Sequence, residues 1–315
     1  MATHRIDASR HTVHWGYFDA ALAPKLTVKS GDTVEMLTVS GRDGVLPAPD
    51  SGLAIPAALA DVLAHIKPEV GPHILTGPVA VEGAEPGDTL EVRIERIDPA
   101  ADWGYNGVVP LGGTLPEDFP LARVLHITVD RARRRCRLPW GTELDLAPFY
   151  GVMGVAPPAV YGRISTAPPR EHGGNLDNKE LVAGTRLFLP VHVQGALFSA
   201  GDGHGVQGDG EVCISALEMC LDGAFTLILH KRGSPESTRF PRGETPTHFI
   251  SMGMHEDLDL AMKQALREMI AFIAARTRLS PLDAYQFCSL ACDFRVTQTV
   301  NGIKGVHGMM PKALL

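Results

Sequence analysis

Residues 195–211, Gly-Ala-Leu-Phe-Ser-Ala-Gly-Asp-Gly-His-Gly-Val-Gln-Gly-Asp-Gly-Glu, set carboxylates and a histidine on a stretch floored by glycine. Asp202, His204, Asp209 and Glu211 stand there among glycines, on what reads as a short loop after an apolar run. Carboxylates and an imidazole crowded this closely repel or need a cation. One Gly-Asp-Gly is turn chemistry. Two copies bracketing a histidine specify a site, with glycine supplying backbone conformations that other residues resist. Asp202 and His204 alternate with glycines, so in an extended loop both side chains point the same way and hold one divalent cation. Mixed carboxylate and imidazole donors suit zinc or another first-row metal better than calcium, which takes oxygen alone.

A third ligand must come from elsewhere in the chain. His73, in Gly71-Pro72-His73-Ile74-Leu75-Thr76-Gly77-Pro78, is the candidate; a hydrogen-bonded histidine at a strand edge is the competing reading. Glu82, Asp177 and Glu211 are the candidate proton carriers. A carboxylate beside an activated water takes its proton and hands it to a leaving amine, provided burial raises its pKa toward neutrality. Asp177 belongs to a second polar stretch, Arg170-Glu-His-Gly-Gly-Asn-Leu-Asp-Asn-Lys179, in which His172, Asn175 and Lys179 offer donors for an oxyanion. The same stretch also reads as a solvated loop.

Other chemistries fall away. Gly203-His-Gly205-Val-Gln-Gly208 has the spacing of a dinucleotide fingerprint. A pyrophosphate there would face Asp202 and Asp209, and a β-hairpin follows where the fingerprint needs a helix. No Gly-x-Ser-x-Gly or His-Glu-x-x-His occurs.

The elements that must carry these residues are mostly strands. Across the first 250 positions, Gly and Pro (33 and 24 in the whole chain) cut the sequence into short alternating pieces. Leu26–Val28, Thr33–Leu37, Leu90–Ile94 and Ala224–Leu229 read as strands, with Asp222-Gly223 as a hairpin turn. Leu258, Met262, Leu266, Met269 and Ile273 predict a helix from about Glu256 to Arg276. Ser280-Pro281-Leu282-Asp283 opens a second helix with a capping box. Pro78-Val-Ala-Val-Glu-Gly-Ala84 and Pro190-Val-His-Val-Gln-Gly-Ala196 echo one another, each followed by Gly-Asp, and suggest a duplicated β unit. If the copies pack face to face, His73 and the Asp202 loop converge. The division expected is a duplicated β region over 1–250 and a helix-and-strand portion over 251–315, packed on the same domain.

The 44% apolar and 21% charged residues are those of an ordinary soluble globular protein. With net charge −7 and basic residues clustered only at Arg131 to Arg137, nucleic acid is excluded as a partner. No run of about 18 apolar residues is present to span a membrane. The start lacks an apolar signal core, which predicts a cytoplasmic protein. Five cysteines without Cys-x-x-Cys spacing read as buried thiols.

Leu75-Thr-Gly-Pro78, Val81-Glu-Gly-Ala-Glu-Pro-Gly-Asp88, His172-Gly-Gly-Asn-Leu-Asp177 and Pro190 through Glu211, in that order and spacing, resemble the acetamidase/formamidase family. The resemblance runs from His14-Trp15-Gly16 to the terminal helices, and departs at Gly205-Val206-Gln207, where more alanine is expected. It implies hydrolysis of a short carboxamide to carboxylate and ammonia by a soluble homo-oligomer with a mainly β fold of sandwich type. The fold expected is therefore mainly β, β-sandwich-like and internally duplicated, with a C-terminal α/β portion. In the mechanism expected, Asp202, His204 and His73 hold the metal, and Glu211 or Glu82 shuttles the proton. Leu197, Phe198, Val206 and Trp15-Gly-Tyr-Phe18 are expected to wall a compact pocket. Hydrolysis of a larger or cyclic amide, or a non-catalytic β module whose metal only pins a loop, are the alternatives.

Overall fold

The computed structural model describes residues 1–315. Strands dominate because the chain alternates: in Thr33–Thr38, Val34, Met36 and Thr38 are buried while their neighbours are half-exposed. Nine such strands form one sheet. Their spatial order is Thr3–Asp7, Thr33–Thr38, Leu221–His230, Thr89–Pro99, Arg186–Pro190, Arg242–Glu244, His248–His255, Lys304–Pro311 and Asp293–Gln298.

A six-stranded sheet faces it. Gly173–Asn175, Phe149–Gly154, Phe198–His204, Ile74–Val81 and Val13–Trp15 follow in order, and Leu26–Val28 pairs parallel to Ile74–Val81. Ile74–Val81 is buried at every residue, so it reads as a continuous apolar run rather than an alternating one. Between the layers, Val34, Leu90, Val92, Phe225 and Leu227 join Val79, Tyr150, Phe198 and Ala200 in a single buried cluster. Burying each such side chain contributes about 1.5–3 kcal/mol, enough to fix which face of every strand looks inward. The architecture is the mainly β, sandwich-like one expected. A smaller sheet of Glu143–Asp145, Arg135–Arg137, Arg123–Asp130 and Trp103–Val108 stands beside it.

The echoed words lie against each other. Val81 N–H donates to Gly195 O and Gly195 N–H to Ala84 O; Gly87 N–H donates to Val191 O and Val191 N–H to Asp88 O, all at 2.9 Å. This seam sets the strand carrying residue 74 beside the strand carrying residue 202.

The hairpin expected at Asp222-Gly223 is not there. Both residues lie inside Leu221–His230, with Gly223 opposite Met36 on one side and Ile97 on the other. A Cβ on Gly223 would stand 2.5 Å from the Tyr150 hydroxyl, so this glycine answers to close packing across the layers.

The C-terminal helices follow the sequence signals. Leu258–Arg276 is capped by Asp257, whose carboxylate accepts from Leu260 N–H at 2.9 Å, and it buries Ala261, Ala265, Met269 and Ile273. Pro281–Ala291 carries the Ser280–Asp283 capping box. His248–His255 crosses position 250, and Lys304–Pro311 and Asp293–Gln298 complete the nine-stranded sheet. No helix is long and apolar enough to cross a membrane.

Candidate active site

The segment read as a loop is a strand, Phe198–His204. Pairing with Phe149–Gly154 and Ile74–Val81 anchors it on both sides, and Asp202 and His204 meet there although the backbone at Asp202 is left-handed rather than extended. His204 Nε2 lies 3.3 Å from Asp202 Oδ2 and 3.3 Å from Glu218 Oε2. His73 Nε2 reaches the same Asp202 oxygen at 3.7 Å, and Asp177 Oδ1 lies 3.8 Å from His204 Nδ1. Ligand atoms of Asp177, His204 and Glu211 fall within 4.8 Å of one another, as do those of Asp202, His204 and Glu218.

The glycines serve close approach rather than unusual backbone. Of the five in residues 201–210, only Gly210 has a left-handed φ, at +94°. Gly201 is needed because a Cβ would strike the Ile74 carbonyl, and Gly203 because it would strike that of Met219. Gly151, on the neighbouring strand, leaves the room the acids occupy: a Cβ there would stand 2.5 Å from Asp177 Oδ1 and 2.6 Å from Asp202 Oδ2. The left-handed conformations belong to the acids themselves, with φ of 47° at Asp177, 56° at Asp202 and 44° at Glu211. Each costs about 1–3 kcal/mol and persists because the surrounding sheet over-determines it.

Electrostatically the cluster demands positive charge. Burial pushes the Asp177 and Glu218 carboxyls above their usual range. Glu211 is pushed well up, first by burial and then by the Asp177 charge. Burial also opposes the Asp202 charge, yet His73 and His204 outweigh it and hold that carboxyl low. Burial lowers His204, but Glu218 and Asp202 outweigh it and keep the ring well above an ordinary histidine.

Several buried atoms here have no hydrogen-bond partner: His204 Nε2, Asp177 Oδ1, Glu211 Oε2 and His73 Nδ1. Unpaired buried acceptors beside one another are costly without a cation. The oxygen and imidazole donors therefore fit a divalent metal.

The group lines a cavity of about 240 Å³. His73, Asp177, Asp202 and Glu211 all reach it, and so does Asn175, whose Nδ2 donates to Ala167 O at 3.0 Å. Glu82 does not; it is exposed on the turn after Ile74–Val81. Lys179 turns instead to Asp209 at 3.1 Å. His172 is buried edge-on against Phe18, ring centroids 4.8 Å apart. Leu197 and Phe198 are buried in the core rather than on the cavity wall, which is built by Val45, Val108, Val109 and Val300.

Two participants carried no mark in the sequence, and a third stood out only as a departure from the expected loop. Glu218 lies in a stretch without glycine or histidine and reaches His204 through an isolated bridge. Asn301, in a turn about ninety residues beyond the motif, donates to Asp177 Oδ2 at 2.6 Å. Gln207, the point of departure from the expected loop, accepts from His204 Nδ1 at 2.9 Å and donates to Asp177 O at 2.9 Å.

A family model described as "Acetamidase/Formamidase family" matches residues 4–161 and 159–312. A formamidase of Methylophilus methylotrophus is 30% identical over 270 residues, covering 64% of this chain and 66% of that protein. An acetamidase of Mycolicibacterium smegmatis is 33% identical over 210 residues, covering 47% of this chain and 51% of that protein. The matched stretches thus span just under two thirds of the one relative and about half of the other. The crystal structure of a predicted acetamidase/formamidase from Thermoanaerobacter tengcongensis superposes with a TM-score of 0.86 at 26% identity, covering 100% of this chain and 98% of that one.

Proposed function

The chain belongs to the acetamidase/formamidase family, and from that premise we propose that it hydrolyses short linear carboxamides, of formamide and acetamide type, to carboxylate and ammonia. The observation that carries this reading is the meeting of Asp177, Asp202, His204 and Glu211, with partnerless buried atoms, beside one cavity. Asp202, His204 and His73 are the residues we assign to a divalent metal, with Glu218 beside them; the mixed donor set favours zinc. Bound there, the metal supplies Lewis-acid polarisation and a lower pKa for water.

The rest of the chemistry belongs to the chain. Glu211, kept protonatable by burial and by Asp177, takes the proton of the attacking water as the new C–O bond forms. It returns that proton to the amide nitrogen as the C–N bond breaks, leaving ammonia and a carboxylic acid whose proton then passes to the ammonia, giving carboxylate and ammonium. Asn301 holds the Asp177 carboxylate through one oxygen and leaves the other free toward the cavity. Val45, Val108 and Val109 give the apolar part of the substrate a wall to pack on.

We also propose a homo-oligomer in the cytoplasm. Leu111, Leu115, Phe119 and Leu121, all exposed in the segment between Trp103–Val108 and Arg123–Asp130, support the first, and five free thiols support the second. The test of function is ammonia release from formamide, acetamide and propionamide against benzamide and a dipeptide amide. Turnover of the short amides is expected. A higher kcat/KM for either bulky amide would overturn the short-substrate reading.

A further inference from the structure

The cavity is larger and more polarised than a two-carbon amide requires. At roughly 10–15 Å³ per water, its volume of about 240 Å³ has room for more than ten waters. Its charged wall is asymmetric. Asp177, Asp202, Glu211 and Glu218 line it together with His73, and Arg42, an exposed side chain, is the one arginine or lysine among the lining residues.

Tyr105 lines the same cavity, and its phenol feels the negative charges of Glu218 and Asp202 and the positive charge of Arg42. The Tyr105 side chain lines the cavity and its hydroxyl makes no hydrogen bond within the chain. The Arg42 guanidinium pairs with no carboxylate, in a protein where most arginines do: Arg5, Arg96, Arg135, Arg163 and Arg242 each hold at least one acid. An unpaired guanidinium on the lining of a cavity suits a carboxylate, because the guanidinium fork matches the two oxygens.

We propose that Arg42, with the Tyr105 hydroxyl, binds an anionic group at the far end of the substrate, so that the preferred amides are half-amides of small dicarboxylic acids. This rests on the hydrolase reading above and deepens it. The amide end meets the acid and histidine cluster, the carboxylate end meets Arg42, and the Val45 and Val108 side chains cover the methylenes between. The anionic end also avoids the acids, whose charge would repel a substrate entering in the opposite sense.

The experiment compares kcat/KM for succinamate with that for propionamide in the wild type, Arg42→Ala and Arg42→Lys. The succinamate-to-propionamide ratio is expected to fall by about tenfold in Arg42→Ala, the lower end for a charge-assisted hydrogen bond. The fall should lie mainly in KM, with part of the ratio restored in Arg42→Lys. A ratio in Arg42→Ala equal to that of the wild type would overturn the proposal. Calorimetric binding of succinate, the product of the half-amide, is measured on the same proteins. Should no amide be turned over, the hydrolase reading fails, and the succinate affinity then decides the role of Arg42 separately: weaker in Arg42→Ala supports it, and equal affinity overturns it.

Discussion

Gln207 determines which nitrogen of His204 faces the acids. Its amide N–H donates to the Asp177 carbonyl, so its oxygen is the acceptor left for His204 Nδ1, 2.9 Å away. Nδ1 therefore keeps its proton toward Gln207, and Nε2, which faces Asp202 and Glu218, is the nitrogen left to give up its proton to a metal. That is the tautomer a metal needs, fixed by a neighbour that touches no metal itself. Gln207→Leu keeps the bulk and loses the acceptor. Metal affinity, read by competition with a chelator, is expected to fall about 10–100-fold. Unchanged affinity would show that the ring is held by something else.

The acids and their exposed counterpart make a matched pair of tests. Glu211→Gln is expected to abolish turnover while leaving the thermal midpoint within a few degrees of wild type, since it removes a charge from a crowded cluster, whereas Asp202→Asn is expected to abolish turnover and, by weakening the metal site, to lower the midpoint. Glu82→Ala should turn over amide at the wild-type rate, because Glu82 is solvent-exposed and outside the cavity. Asp283→Ala should cost about 1 kcal/mol of stability through the lost capping box and leave turnover intact. A Glu82 variant as inactive as the Glu211 one would move the proton carrier.

How much of this was legible beforehand depends on the range of the signal. Asp202 and His204 stand two apart on one strand, and that spacing was readable; the left-handed backbone at Asp202 was not. His73 came within reach because the two echoed words bond along a seam, a relationship visible in the sequence as a repeat. Glu218 and Asn301 arrive from segments whose composition says nothing; only the bridge of residue 218 to His204 and the turn at 301 bring them in. Glu82 was misleading for a related reason: its glycine-rich surroundings belong to a surface turn. The misplaced hairpin at Asp222-Gly223 shows the same limit, because packing against Tyr150 overrode a strong local turn signal.

Metal removal should destabilise as well as inactivate. Without a cation, Asp177, Asp202, Glu211 and Glu218 share a buried space in which burial already holds three of them up. About one divalent ion per chain is expected by elemental analysis. At a free metal concentration a thousand times its Kd, binding adds about 4 kcal/mol to the folded state. Chelation should therefore lower the thermal midpoint and turnover together, and zinc should restore both. Full activity at well below one metal per chain would remove the metal from the reaction.

Acid stability offers a test independent of the site. His14 donates from Nδ1 to Tyr17 O at 2.7 Å and lies 3.1 Å from the Ser199 hydroxyl through Nε2; burial lowers its pKa to about 4. Burial likewise lowers His172 to about 3 and His307 to about 4. All three are neutral in the fold and ordinary, near 6.5, in the unfolded chain. The unfolded state thus binds more protons, so their contribution is complete above about pH 6.5 and is lost as pH falls toward 4. At pH 5 each costs roughly 2 kcal/mol, and the sum approaches the 5–15 kcal/mol of a typical domain. Urea unfolding should show stability dropping steeply between pH 6.5 and 5. His14→Gln, which keeps a polar partner for Ser199 and removes one titrating ring, should lower that slope by about one proton, or about 1.4 kcal/mol per pH unit. An unchanged slope in this variant would mean that His14 is not among the groups that titrate on unfolding.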